Sequence, residues 1–83
     1  MEEQAFYTEL KKFLLARNPE LGQINFDENT HLIKTGILDS FAVTELILFI
    51  EDLTGNPVQV EGLSVDTIKT LKSIYEFFIK GGD

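Results

Sequence analysis

Between Lys34 and Gly55 the chain reads KTGILDSFAVTELILFIEDLTG, and at Asp39-Ser40 a turn-forming segment gives way to an apolar, helix-forming one. The spacing predicts a helix from about Ser40 to Leu53, stopped by the breaker run Thr54-Gly55-Asn56-Pro57. Wound at about 100° per residue, Val43, Leu46, Ile47 and Ile50 fall on a core-facing side. Phe41, Glu45, Leu48 and Asp52 fall opposite. A solvated face needs no large apolar groups, so Phe41 and Leu48 interleaved with two carboxylates read as a docking row. Isolated surface apolar residues are common, and that plainer reading stands beside it.

On the N-terminal side, EEQAFYTELKKFLLARN places Phe6, Leu10, Phe13 and Leu14 on one helical stripe. Acids open this helix and Lys11, Lys12 and Arg17 close it, in keeping with the helix dipole. Asn18-Pro19 ends it, because a residue before proline avoids helical dihedrals. From Glu20 to Asp39 the period is lost among turn formers, with Leu21, Ile24, Phe26, Leu32, Ile33, Ile37 and Leu38 scattered between them. Those apolar residues predict a long loop tacked onto the core.

On the C-terminal side, Val58-Gln59-Val60 is the one strand-like run, too short to found a sheet. A short helical turn is expected around Ser64 to Ile68. A last helix carries Leu71, Ile74, Tyr75 and Phe78 on one stripe, with Thr67 or Thr70 as its cap. Residues 81–83 read as a frayed tail. The fold expected for residues 1–83 is a single all-α domain: a small four-helix bundle of three main helices plus one short helix, with a long first loop. Phe6, Phe13, Phe26, Phe77 and Phe78 are its aromatic core candidates.

Seven basic and fourteen acidic residues leave a net charge of −7. That charge disfavours nucleic acid and anionic membrane surfaces and favours partners with basic patches. No apolar run has the length of a membrane span, and the opening MEEQAFYTEL lacks the basic and apolar regions of a signal peptide. With no cysteine there is neither a disulfide nor a cysteine zinc site. The expectation is a cytoplasmic, monomeric domain that binds no nucleic acid and inserts into no membrane.

Ser40 itself admits three roles: helix cap, catalytic nucleophile, or attachment site. The nucleophile elbow requires glycines where Leu38 and Ala42 stand, and the sole histidine, His31, lies upstream in the loop. Asp27, Asn29 and His31 alternate like calcium-loop ligands, but Leu32 and Leu38 occupy the positions that demand glycine and a bidentate glutamate. Asp39 or Ser40 suits an N-cap. The same helix start offers partial positive charge to an anion borne on the serine, and the neighbouring carboxylate offers a ligand to a metal ion during attachment. The terminal Gly81-Gly82 pair suggests no conjugation tail, since Asp83 follows it and the pattern is helical.

GILDSF at the head of an amphipathic helix, followed by Glu45-Leu46, resembles the signature of the acyl carrier protein family, which includes acyl, peptidyl and D-alanyl carriers. The resemblance covers nearly the whole chain in length, acidity and order of elements. It implies that Ser40 takes 4′-phosphopantetheine from coenzyme A through a phosphopantetheinyl transferase. It further implies that Asp39 caps the helix and helps position the transferase's metal, and that Phe41, Glu45, Leu48 and Asp52 meet partner enzymes. Those partners are an acyl- or aminoacyl-loading enzyme and a downstream transferase or synthase, and the carrier itself catalyses nothing. Housekeeping fatty-acid carriers usually have an acid two residues after the serine, where this chain has Ala42. LDSF with Glu45-Leu46 is closer to D-alanyl carriers and to free-standing carriers of biosynthetic clusters. From a different class, an unmodified acidic adaptor docking a basic partner through the second helix fits the same residues.

Overall fold

A computed structural model describes residues 2–58 and 63–80 of the chain. Three α-helices, α1 (Glu3–Arg17), α2 (Ser40–Thr54) and α3 (Leu71–Tyr75), form a small helical bundle, with no strand among the described residues. No helix among those residues is long and apolar enough to cross a membrane. Gln59 and Val60 of the strand-like run, and the tail 81–83, lie outside the described residues.

The stripe expected on α1 buries Phe6, Leu10 and Leu14, joined by Tyr7, while Phe13 packs at the core's edge. Asn18 ends the helix in extended backbone, and its side chain accepts the Glu20 N–H. Pro19 then opens a 3-10 turn, Pro19–Gln23, inside the stretch expected to be loop. Proline suits the first position of such a turn, where its missing N–H has no partner to lose.

The long connection is tacked down as expected. Leu21, Leu32, Ile37 and Leu38 are buried, Phe26 and Ile33 pack against the core, and Ile24 alone of the apolar set stays exposed. Two backbone bonds tie it to the entry of α3: Leu32 N–H to Lys69 O at 2.6 Å and Lys72 N–H to Glu28 O at 3.1 Å. Asp27 spends its carboxylate on the Asn29 N–H and the Thr30 hydroxyl, a local turn device.

Three expectations are corrected. Ile47 lies outside the core cluster, because the buried seam of α2 runs through Ala42, Leu46 and Ile50, flanked by Val43, Phe49 and Leu53. Reading by large side chains passes over Ala42, and including it turns the seam away from Ile47. Ser64–Ile68 forms consecutive turns instead of a short helix, held by Thr67 N–H to Ser64 O and Ile68 N–H to Val65 O. The last helix holds α-geometry only to Tyr75 and continues as a π-turn over Glu76–Lys80. Phe77, expected among the aromatic core candidates, lies off the buried stripe and is 42% exposed, beside Phe78, which stays half-buried.

Two further helix termini are chemically defined. Gly55 terminates α2 at φ 74°, with its N–H on Glu51 O, a left-handed closure that glycine adopts without steric cost. Thr70 caps α3 in a reciprocal box with Ser73, and the Ser73 hydroxyl also bonds the Thr67 carbonyl.

Candidate functional site

The site is built around the start of α2. Gly36, at φ 80°, turns the chain, and the buried pair Ile37 and Leu38 anchors it to the core immediately before the helix. Asp39 follows in extended backbone and is the N-cap. Its Oδ1 accepts the Ala42 N–H at 2.8 Å, and its carbonyl accepts the Val43 N–H at 2.9 Å. Ser40 is therefore the first helical residue and not the cap, which leaves its hydroxyl uncommitted. The residue is exposed, and among the described residues its Oγ makes no hydrogen bond.

His31 serves its own turn. Its Nδ1 accepts the Lys34 N–H at 3.1 Å, and no hydrogen bond joins it to Ser40 among the described residues. A Ser-His couple is not assembled here.

All four residues expected on the outer row of α2 are solvent-facing: Phe41 at 79% exposure, Leu48 at 59%, Glu45 and Asp52. Phe41 and Leu48 stand two turns apart, about 10 Å along the helix axis. Glu51, the neighbouring acid, is turned inward to accept the Val58 N–H at 2.8 Å.

Glu45 is engaged from another helix. Arg17, in the last turn of α1, donates from Nε to Oε2 at 2.9 Å and from Nη2 to Oε1 at 3.2 Å. One turn back along α1, Phe13 stacks on Phe49 with centroids 4.7 Å apart. Moving up α1 thus means moving down α2, so the two helices run antiparallel. Arg17 lies toward the head of α2, near enough for the Asp39 carboxylate to act on both members of the pair. The Arg17 hydrogen bonds hold the Glu45 carboxyl below its ordinary range against a smaller opposing desolvation, and Glu45 in turn holds the guanidinium above its own. In the sequence Arg17 reads only as a dipole-complementing end charge. Nothing in a single sequence says which acid on another helix it meets.

At the opposite end of α2, roughly 20 Å from Ser40 by helix rise, lies a half-open cleft of about 290 Å³. Ile50, Thr54, Val58, Phe77 and Phe78 line it. It is apart from the serine and shares no residue with the outer row.

The arrangement offers an accessible nucleophilic hydroxyl on a rigid mount, at the positive end of a helix dipole, with two exposed apolar side chains behind it. As a mount for a phosphodiester-linked group the residues fit. The oxygen is free, and the helix end favours an anion. Compared with protein-family models and with curated proteins, the chain matches none.

Proposed function

We propose that this protein is a discrete carrier: Ser40 is converted to its 4′-phosphopantetheinyl form and bears acyl or aminoacyl intermediates between enzymes in the cytoplasm. The observation that carries the reading is the pairing of an exposed, uncommitted Ser40 hydroxyl with an Asp39 cap that fixes it at the head of α2. The exposed Phe41 and Leu48 on the same helix support it by offering partner enzymes a surface beside the attachment point.

In the modification, Ser40 Oγ bonds to the phosphorus bearing the pantetheine arm. The diphosphate link of coenzyme A breaks, adenosine 3′,5′-bisphosphate departs, and the hydroxyl proton passes to the transferase. Asp39 has one carboxylate oxygen, Oδ1, committed to the Ala42 N–H. The other is the atom available to a magnesium ion brought by the transferase. Once attached, the arm supplies a terminal thiol that holds cargo as a thioester. The chain contributes no catalytic group of its own.

The test is intact mass after incubation with coenzyme A, magnesium and a broad-specificity phosphopantetheinyl transferase, with Ser40→Ala alongside. A gain of one phosphopantetheine in the parent and none in the variant is expected. A folded parent that gains nothing, while a known carrier is modified in parallel, returns the chain to the adaptor reading.

A further inference from the structure

We infer that Arg17 sets which partners the α2 face accepts, by neutralising Glu45 and leaving an apolar contact centred on Phe41 and Leu48. The inference deepens the carrier reading and names the partner chemistry: a surface with an apolar pocket for those two side chains and a single cation opposite Asp52, not a broadly basic patch.

The argument starts from the charge on α2. The helix has no basic residue, and its acids are Glu45, Glu51 and Asp52. Taken by themselves they describe an acidic face suited to a basic partner. Two of the three are already occupied within the chain. Glu51 accepts the Val58 backbone N–H, and Glu45 accepts both prongs of the Arg17 guanidinium. A planar two-pronged contact engages both carboxylate oxygens, which a lysine ammonium cannot reproduce. A partner cation approaching Glu45 must therefore compete with Arg17 for the carboxylate and tolerate its positive charge. Phe41 and Leu48 need no such exchange. They are the most exposed large apolar residues of the helix, and they lie on either side of Glu45 along the axis. The face thus gives a strongly cationic surface less to hold locally, although the whole protein carries −7 and attracts such surfaces at a distance.

The probe that does not depend on modification is an octalysine peptide, titrated into isotope-labelled protein and followed through backbone amide shifts. In the parent, amides around Asp52 respond and those around Glu45 respond weakly. In Arg17→Gln the Glu45 response rises severalfold, and Arg17→Lys falls between the two. Because Arg17→Gln also makes the protein more negative overall, the deciding comparison is Arg17→Gln/Glu45→Gln against Glu45→Gln, where no such rise is expected. The second readout is transfer by the phosphopantetheinyl transferase. With a transferase chosen for a strongly basic docking surface, Arg17→Gln lowers KM by roughly two- to fivefold, the scale of one exposed charge contact, without changing kcat, and steepens the dependence on salt. An unchanged Glu45 response in Arg17→Gln overturns the inference, as does a gain that persists in the Glu45→Gln background. If the octalysine result appears as expected while the parent takes no phosphopantetheine, the carrier reading fails and the role of Arg17 stands.

Discussion

Arg17 grips both carboxylate oxygens of Glu45, at 2.9 and 3.2 Å, and so joins the end of α1 to the second turn of α2. The same contact subtracts one acid from the exposed face of the helix. A residue read from the sequence as a free recognition group is instead half of an internal pair, and the exposed apolar side chains around it gain weight accordingly.

The pair predicts a small acid-sensitive increment in stability. The Glu45 carboxyl is held low in the folded protein, chiefly by the Arg17 hydrogen bonds. Its contribution is therefore complete above the unfolded value of about 4.5 and is lost as pH falls through the lower folded value. Arg17 is raised in the folded state, so its side of the linkage is lost only at strongly alkaline pH. The thermal midpoint of Glu45→Gln should lie slightly below the parent at neutral pH. The gap should close on acidification below the ordinary carboxylate range, and in molar salt at neutral pH. A gap of constant size across that range would show that the carboxylate is not held by Arg17 in solution.

Asp39 has a structural and a proposed chemical role, and two substitutions separate them. Asp39→Ala removes the acceptor for the Ala42 N–H and should cost about 0.5–2 kcal/mol in urea unfolding. Asp39→Asn retains a good cap and should cost far less. If the second carboxylate oxygen meets the transferase's magnesium, Asp39→Asn should still be modified much more slowly than the parent. Equal rates would confine Asp39 to capping.

The two faces of α2 should respond oppositely to truncation. Leu46 is 1% exposed within the core, so Leu46→Ala should cost about 2–5 kcal/mol. Phe41→Ala and Leu48→Ala remove exposed groups and should leave stability within about 0.5 kcal/mol of the parent. Both should nevertheless raise KM for phosphopantetheinyl transfer. Loss of stability on truncating Phe41 would mean that its ring is buried in solution and unavailable to a partner.

How far the sequence was legible follows from how local each determinant is. The stripe of α1 and the stop at Gly55 are written within a few residues and are found as expected, and of the two threonines expected as the last cap, Thr70 takes the role. The Asp39 cap and the exposure of Ser40 are local as well, since they depend on one extended residue before one helical turn. The features that escaped are set by packing between elements or by small differences in backbone energy. The Arg17–Glu45 contact joins residues 28 apart in sequence. The π-turn over Glu76–Lys80 preserves a helical pattern while changing its pitch. Ala42 is the most instructive case. A methyl group gives almost no hydrophobic signal in a periodicity analysis, yet it is fully buried and locates the seam of the helix.

That burial makes a prediction about the position two residues after Ser40, where fatty-acid housekeeping carriers, in the resemblance drawn from the sequence, have an acid. Ala42 is 0% exposed, and its N–H already belongs to Asp39. Ala42→Asp brings a carboxylate into a packed seam with no cation beside it, because Arg17 is committed to Glu45. The substitution should therefore destabilise the fold by on the order of 1–3 kcal/mol. It should not convert the protein into an effective partner for enzymes that rely on that acid. Urea unfolding of Ala42→Asp beside the exposed-site control Ser40→Ala decides the matter. A large fall in midpoint for the first and little for the second is expected. If Ala42→Asp is as stable as the parent and is served by such enzymes, the head of α2 can turn its third residue outward, and the face offered to partners is a different one.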